Sequence, residues 1–435
     1  MFGYYKKRLF WITERLRHQE ANLDDLQNLL VMQRWLTKQI FAVENRQRSL
    51  REERKGLKAK LATRMEKSAS RLIKKRVAWI DRRHERLNDV AFVLRAFGDG
   101  IAFLYLDAHA VKPLTFEGDG SYFKRSAGTL SGKSGLATEI LVVEEAIRRG
   151  VPAILCDLTN SIRHGDVCLL GNSDPYLIEV KAGSVRGHRS ERQRVDVGRL
   201  NTFFENDRGE LLGAPMSTRA SLPSKPVDHI AALNLAVSEA LEHGQCVSSP
   251  EPGVWIVAQT DRFRRELFDA IDVSQRVGIY SWNGWKMDRA WLSYSPFTLH
   301  FRSPEALYSF ISGRLFVLVL VDYDVLLAAL ARHGIDAELF PDEAYMIAGP
   351  WPDGTDGRWG LSAHYVDRLG VELLSPEWFA SAQSEVLRQA AETLKSSPDT
   401  FLGAIPTEGA LAHSLVEALA APTPHGSNGP QGDDG

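Results

Sequence analysis

The first 95 residues carry apolar positions at helical spacing and contain very few helix breakers. Gly3 and Gly56 are the only glycines in this segment, and it has no proline. The apolar positions recur at intervals of three, four or seven residues, which places them on one face of an α-helix. They include Leu16, Leu23, Leu26 and Leu30, and further along Ile40, Val43, Leu50, Leu57 and Leu61. This pattern predicts an amphipathic helical arm, folded as a helical hairpin or a short coiled coil.

The pattern changes at residues 97–100, where the sequence is FGDG. Beyond this point short apolar runs alternate with turns that contain glycine and proline, which is typical of a mixed α/β unit. A helix is predicted over 133–149, with Gly150 in the usual position after its end. A buried strand is predicted over 151–156. Two further strands, beginning at Asp166 and Tyr176, form a predicted hairpin with its loop at 172–175, and a basic segment then leads into a helix.

The second half of the chain is patterned less regularly. A helix is predicted over 230–243 and a strand over 253–258, and a strand–helix unit begins at Leu315. The final residues are polar and rich in proline and glycine, so we expect them to be disordered. We therefore divide the chain into a helical arm (1–95), a central α/β domain (96–265), a C-terminal α+β region (266–420) and a tail (421–435).

The cysteine content and the most apolar stretch indicate the cellular compartment of the protein. Its longest apolar stretch, from Leu315, is interrupted by Asp322 and Asp324. The interior of a bilayer strongly disfavours carboxylates, so we expect no membrane contact. Three scattered cysteines are too few for a disulfide framework or a paired-cysteine zinc site. Together with an N-terminus unlike a signal peptide, this predicts a cytoplasmic protein.

The net charge of −2 conceals an uneven distribution along the chain. Residues 1–95 hold 24 Lys and Arg against 11 Asp and Glu, which leaves 29 basic and 44 acidic residues for the remainder. The stretch 46–86 is the most basic and includes Lys74, Lys75 and Arg76. Such a surface either follows the phosphates of a nucleic acid or is an exposed helix face that mediates assembly, with a second copy or a protein partner. The sequence leaves both interpretations open.

The predicted hairpin of the central domain carries a group of residues suited to metal chemistry. Asp166 opens one strand and Glu179 lies on the other, while Lys181 shares the face of Glu179 because it is two positions along the strand. Folding the hairpin brings Asp166 beside Glu179, and two neighbouring carboxylates repel each other unless a cation lies between them. Mg²⁺ prefers such oxygen ligands and activates water for attack on phosphorus, and Lys181 would stabilise the developing charge.

This arrangement resembles the PD-(D/E)xK nuclease superfamily over roughly residues 132–204. The shared order is a helix bearing a glutamate, a strand, Asp166, a turn, the Glu-Val-Lys triplet at 179–181 and a basic helix. The resemblance implies a restriction-endonuclease-like fold, an α/β mixed sheet flanked by helices. It also implies that Asp166 and Glu179 bind Mg²⁺ or Mn²⁺ and that Lys181 assists the nucleophile. The proline of the superfamily's motif is absent, since His164 and Gly165 precede Asp166.

The same resemblance suggests further site residues. Glu139, with Glu144 as a substitute, has the position of the helix glutamate that often completes the metal site, and Gln193 that of a catalytic polar residue. The expected nucleic-acid contacts are Arg189, Arg192 and Arg194 on the basic helix, and Lys74, Lys75 and Arg76 on the arm. The alternative is that Glu139 is a solvated helix position and that the basic residues are surface charge.

These observations predict a metal-dependent nuclease that hydrolyses phosphodiester bonds, with DNA as the expected substrate, in repair, processing or defence against foreign DNA. One alternative is a catalytically inactive nuclease fold that binds nucleic acid or a protein partner. Another is a nucleotide hydrolase, because residues 127–134 (AGTLSGKS) satisfy a loose form of the phosphate-binding loop, with Lys133 before a helix and Asp157 after an apolar run. Its first position is alanine and no clear buried strand precedes it, so this alternative is the weaker one.

Overall fold

The fold is mixed α/β, with an N-terminal helical region followed by several small antiparallel sheets, as the sequence predicted at this level. The computed structural model describes residues 2–115, 128–180, 188–211, 214–220, 222, 224–260, 271–272, 274–291, 295–340, 345–354 and 356–396. The predicted tail at 421–435 lies outside these residues.

The N-terminal region consists of three helices that follow a short 3-10 turn at Phe2–Tyr5: α1 (Lys6–Ala21), α2 (Leu26–Leu61) and α3 (Lys67–Tyr105). Asp25 caps α2 by accepting a hydrogen bond from the Asn28 amide at 2.9 Å. The two long helices pack along each other to form a hairpin. Leu16, Ile40, Val43 and Leu50 of the predicted apolar stripe are buried, and the helical character of the N-terminal region is confirmed, whereas Leu23 is exposed between α1 and α2.

Helix α3 continues through residues 97–100, where the sequence analysis placed a change of structure. A Cβ at Gly98 would collide with the carbonyl oxygen of Leu158, and one at Gly100 would lie 2.8 Å from Thr298 Oγ1. Both glycines therefore permit close approach of neighbouring chain segments within an intact helix. The boundary drawn between residues 95 and 96 falls inside α3, whose C-terminal half is buried in the core.

The central sheet has three described strands in the order β1–β2–β3, all antiparallel. The elements around it are α4 (Ala108–Val111), α5 (Leu136–Arg148), β1 (Ala153–Leu155), β2 (Val167–Asn172), β3 (Asp174–Ile178) and α6 (His188–Asn206). Gly150 follows α5 with a φ of +82°, as expected for a residue that ends a helix. The predicted loop at 172–175 is shorter, because Asn172 already pairs with Asp174. The resemblance implied a mixed sheet, which contains parallel as well as antiparallel pairs, but the described strands of this sheet form antiparallel pairs only.

The outer edge of β1 is covered by the side chain of Gln33 from α2. Its Nε2 donates to the carbonyl of Ala153 at 2.7 Å, and its Oε1 accepts from the amide of Leu155 at 3.3 Å. The side-chain amide thus occupies backbone groups that a further strand would otherwise use. The helical arm is in this way joined to the central sheet through polar contacts as well as apolar packing.

The C-terminal part contains a four-stranded antiparallel sheet in the order β6–β7–β9–β8. Its strands are β6 (Gln245–Glu251), β7 (Val254–Gln259), β8 (Val277–Ser281) and β9 (Phe316–Asp322). A two-stranded sheet consists of β4 (Arg208–Leu211) and β5 (Ala214–Thr218). A three-stranded sheet consists of β10 (Glu338–Leu339), β11 (Ile347–Pro350) and β12 (Arg358–Leu361). Strand β7 pairs with β9, with Ile256 opposite Val319. The boundary drawn at 265 therefore separates strands of one sheet.

The helices of this part complete its core. They are α7 (Ile230–His243), α8 (Trp282–Met287), α9 (Phe297–His300), α10 (Pro304–Ser312), α11 (Tyr323–Arg332), α12 (Ala363–Val366), α13 (Arg368–Val371) and α14 (Pro376–Ser396). Asp322 ends β9 and caps α11 by accepting from the amide of Asp324 at 2.9 Å, so the strand–helix unit predicted at Leu315 is confirmed. None of the described helices combines the length and the apolarity needed to cross a bilayer.

Candidate functional site

Three carboxylates meet at the amine of Lys133. Its Nζ lies 2.8 Å from Asp166 Oδ1, 2.9 Å from Asp157 Oδ2 and 2.9 Å from Glu139 Oε2. We call these four residues the carboxylate cluster. The acidic side chains are largely buried, and Glu139 is only 2% exposed, whereas the side chain of Lys133 is 27% exposed. The cluster is therefore an acidic site whose cationic member faces the solvent most.

The three acidic residues are placed by three different elements. Glu139 lies in the first turn of α5, Asp157 lies in a 3-10 turn (Cys156–Leu158) that directly follows β1, and Asp166 immediately precedes β2. The carboxylate of Asp157 lies against Gly128, where any Cβ would overlap its Oδ1. Because β1 and β2 are antiparallel, the end of the first and the start of the second are adjacent, which brings the two aspartates together.

Asp166 is also bound to the chain segment that contains Glu179. Its backbone amide donates to the carbonyl of Ile178 at 2.9 Å, and its Oδ2 accepts from the amide of Val180 at 2.9 Å. Glu179 is half-buried between these two contacts, directly after β3. Asp166 thus lies beside this segment of the predicted triplet, while Lys181 lies outside the described residues.

The segment that follows the turn of Asp157 is held by a buried aspartate of α3. Asp99 Oδ1 accepts hydrogen bonds from the amides of Asn160 and Ser161 and from Ser161 Oγ, and its Oδ2 accepts from Asn160 Nδ2, all at 2.8 Å. Burial raises the pKa of the Asp99 carboxyl, and the donors from Ser161 and Asn160 oppose that rise. The sequence analysis did not identify Asp99, although it lies in the FGDG stretch.

The loop that bears Lys133 is held by an ion pair at the base of the helical hairpin. Arg95 Nη2 donates to Glu44 Oε1 at 2.6 Å, and Glu44 Oε2 accepts from the amide of Ser131 at 2.7 Å. The same guanidinium donates to the carbonyl oxygens of Asp157 and Gly128, each at 3.1 Å. One buried ion pair therefore contacts both the loop of Lys133 and the turn of Asp157.

The charges of the cluster influence one another. Burial raises the pKa of Glu139, the hydrogen bond from Lys133 lowers it, and the nearby carboxylates of Asp166 and Asp157 raise it further. Burial disfavours the charged amine of Lys133, but Asp157, Asp166 and Glu139 outweigh this effect and raise its pKa well above the usual range. The amine is therefore a firmly charged cation among three acidic groups.

The other predicted site residues lie at different places. Glu144, the predicted substitute for Glu139, pairs with Arg34 of α2 at 2.7 Å and lies outside the carboxylate cluster. Gln193 is half-buried on α6, and this helix is bound to β3 where Asn201 Nδ2 donates to the carbonyl of Leu177 at 2.9 Å. Arg194 is exposed on the same helix, and the side chains of Arg189 and Arg192 lie outside the described residues.

The predicted contacts on the arm lie on its exposed surface. Lys74 and Lys75 are exposed on α3. Arg76 donates to Glu53 of α2 at 2.7 Å and lies over the ring of Trp79, with the guanidinium carbon 4.2 Å from the ring centroid. Two of the three predicted residues are therefore accessible lysines, while the third is part of the contact between α2 and α3.

The donor set of the cluster fits a hard divalent ion, with one adjustment. All three acidic side chains offer carboxylate oxygens, the ligands that Mg²⁺ prefers. These oxygens surround the amine at 2.8–2.9 Å, whereas Mg²⁺ binds oxygen at about 2.0–2.1 Å, so each would move inward by about 0.8 Å. Accordingly, among the described residues no group of three His, Cys, Asp or Glu side chains is already spaced to hold an ion.

Comparison of the chain with models of protein families, with curated proteins and with solved structures found no match.

Proposed function

We propose that the protein is a metal-dependent nuclease and that the carboxylate cluster is the centre of its active site. The observation that carries this proposal is the convergence of Glu139, Asp157 and Asp166 within 2.9 Å of one point. Two of these residues, the glutamate on the helix and the aspartate before the second strand, hold the positions that the superfamily resemblance assigned to metal ligands. Asp157 is an addition that spacing along the chain did not suggest.

In this proposal Asp166, Asp157 and Glu139 hold Mg²⁺ or Mn²⁺, and Glu179 is the fourth candidate ligand. The amide of Val180 fixes one oxygen of Asp166 and leaves the other directed at the cluster. A bound ion of this kind supplies a water activated for attack and neutralises charge on the phosphoryl group. Lys181 and Gln193 keep their proposed roles in assisting the nucleophile, which rest on the sequence motif.

The helical hairpin supports a nucleic acid as the substrate. Residues 46–86 hold 16 Lys and Arg against 5 Asp and Glu, and most of their side chains are exposed. From Glu44 to Leu61 the helix α2 extends over about 26 Å, the length of roughly eight base pairs. At one end of this stretch, Glu44 accepts a hydrogen bond from Ser131 in the loop of Lys133. Arg48 lies beside the same loop, because a Cβ at Gly132 would be 2.6 Å from its Nη2. A basic surface thus leads from the cluster outward, as tracking a phosphate backbone requires.

The phosphate-loop alternative is less compatible with the local contacts. In a phosphate-binding loop the backbone amides and the lysine point at the anion. Here the amide of Ser131 donates to the carboxylate of Glu44, and the amine of Lys133 lies among three carboxylates. A nucleotide phosphate at this loop would meet four acidic side chains, which would repel it.

A substrate panel tests the proposal. Purified protein is incubated with linear duplex DNA, circular DNA, single-stranded DNA and single-stranded RNA, each with Mg²⁺, Mn²⁺ or EDTA. We expect metal-dependent cleavage of at least one substrate and none in EDTA. Nucleic-acid binding without cleavage under any of these conditions would favour the inactive nuclease fold, and hydrolysis of nucleotides alone would favour the phosphate loop.

A further inference from the structure

The cation and the carboxylates of the cluster are held in different ways. Glu139, Asp157 and Asp166 lie on a helix and next to two paired strands, which fixes their backbones. Lys133 lies in the loop between Gly128 and α5, and its long side chain alone carries the amine into the cluster. It is also the most exposed member of the group. The amine can therefore leave by rotation of one side chain, whereas the carboxylates are anchored.

The same oxygens cannot serve the amine and a divalent ion at once. The three contacts of Nζ use one oxygen from each carboxylate, all directed at a single point. An ion bound by these oxygens would occupy nearly that point and would repel the ammonium group. Binding of the ion therefore requires that Lys133 moves out of the cluster.

We propose that Lys133 is an internal counter-cation, which occupies the cluster in the metal-free protein and is displaced when a divalent ion binds. This inference rests on the proposed function, because it concerns the same site. Lys133 neutralises part of the repulsion among the three carboxylates and keeps them about 0.8 Å too far from the centre for Mg²⁺. The energy of its three contacts opposes metal binding, so the ion must compete with it.

Displacement also changes what the amine can contact. Lys133 follows Gly132, whose backbone lies beside Arg48 of the basic hairpin, so the displaced amine would remain near both the ion and that hairpin. A phosphate that approaches the metal-bound site would then meet the amine of Lys133, which in the metal-free protein is paired with the three carboxylates. Metal binding is in this way coupled to binding of a polyanion, and the metal-free protein would bind its substrate more weakly near the cluster.

The first test measures the affinity for Mn²⁺ by calorimetry, without nucleic acid. Lys133→Met removes the competing charge, and we expect it to bind Mn²⁺ at least about tenfold more tightly than the unmodified protein. Lys133→Arg keeps a cation and should retain the weaker affinity. Lys395→Met is the matched control, since Lys395 pairs with the carboxylate of Asp353 elsewhere on the surface. Unchanged or weaker binding by Lys133→Met would overturn the proposal.

The second test uses the unmodified protein, so it does not depend on the folding of a variant. Lysines are acetylated under limiting reagent in EDTA or in Mg²⁺, and the extent at each lysine is read by mass spectrometry. We expect the acetylation of Lys133 to rise several-fold in Mg²⁺ while that of Lys395 stays constant. Equal or reduced acetylation of Lys133 would show that the amine stays in place. Neither test involves cleavage, so a protein that passes both and cuts no substrate would refute only the proposed function.

Discussion

Arg95 of α3 and Glu44 of α2 form a buried ion pair, 2.6 Å between Nη2 and Oε1, at the point where the basic hairpin meets the carboxylate cluster. Both side chains are at most 10% exposed, and each also binds the backbone of the loop or the turn beside it. The pair therefore links a surface suited to polyanions with the residues proposed to hold a metal.

Breaking this pair should cost much more stability than breaking an exposed pair between the same helices. Glu44→Gln leaves the guanidinium of Arg95 buried without its counter-charge, and we expect a loss of about 3–5 kcal/mol in the free energy of unfolding. Asp81→Asn removes the partner of Arg54, also between α2 and α3 but exposed, and should cost less than about 1 kcal/mol. Chemical denaturation of both variants measures the difference, and equal losses would show that the pair at the base has no special role.

Asp99 should stabilise the segment of Asn160 and Ser161, which follows the turn of Asp157, through its acceptor oxygens. Asp99→Asn replaces one acceptor oxygen by an NH2 group, which would face a donor, either the side chain of Asn160 or the donor groups of Ser161. We therefore expect a loss of about 1–3 kcal/mol in the free energy of unfolding. Affinity for Mn²⁺ should fall as well, because the adjoining turn carries Asp157, a proposed ligand. Asp107→Asn is the control, since Asp107 caps α4 and asparagine caps helices equally well. Similar stability losses in the two variants would contradict this role.

His300 should make the protein sensitive to acid. It is fully buried, and neither ring nitrogen has a hydrogen-bond partner among the described residues. Burial, together with the charge of Arg17, lowers its pKa to about 3, so the unfolded chain binds a proton at a higher pH than the folded protein does. The neutral ring of His300 therefore contributes fully to the free energy of unfolding above about pH 6.5, and this contribution is lost as the pH falls toward 3.

The variant His300→Leu removes this proton linkage. Between about pH 6 and pH 4 we expect its free energy of unfolding to fall less steeply than that of the unmodified protein, by about 1.4 kcal/mol per pH unit. Denaturant titrations across this range give both slopes. Parallel curves would mean that His300 is protonated in the folded protein.

The exposed lysines of the hairpin should contribute to nucleic-acid binding through charge. The double change Lys74→Gln and Lys75→Gln should weaken binding and reduce the slope of log K against log salt by up to about 1.8, which corresponds to two phosphate contacts. Lys6→Gln with Lys395→Gln removes the same charge away from the hairpin and should leave the slope unchanged. If binding survives while oligomers are lost, the hairpin is an assembly element.

The sequence was most informative where local pattern decides structure. The periodic arm predicted the long helices, Gly150 predicted the end of α5, and the spacing around Asp166 located one strand of the hairpin. Glu139 and Asp166 were singled out, and the structure brings them to a common point. These features depend on residues that are neighbours along a helix or across a turn.

The rest depends on contacts between distant segments. Gly98 in α3 resembles a break in the sequence, but its role is the close approach of Leu158, sixty residues away. Strand β7 was separated from its partner β9 because pairing over such a distance leaves no local pattern. Lys133 and Asp157 were noted only for a phosphate loop, since their meeting with Glu139 follows from the way β1, β2 and α5 pack.

The most direct test of the nuclease proposal is the cleavage rate of Asp166→Asn in Mg²⁺. This change preserves the volume of the side chain but removes a charge at the cluster, so we expect the rate to fall by at least about a hundredfold while the fold and nucleic-acid binding persist. Asp228→Asn is the control, because Asp228 is exposed, lies outside the cluster and uses an oxygen that asparagine retains. If Asp166→Asn and the unmodified protein cleave at the same rate, the carboxylate cluster is not the active site.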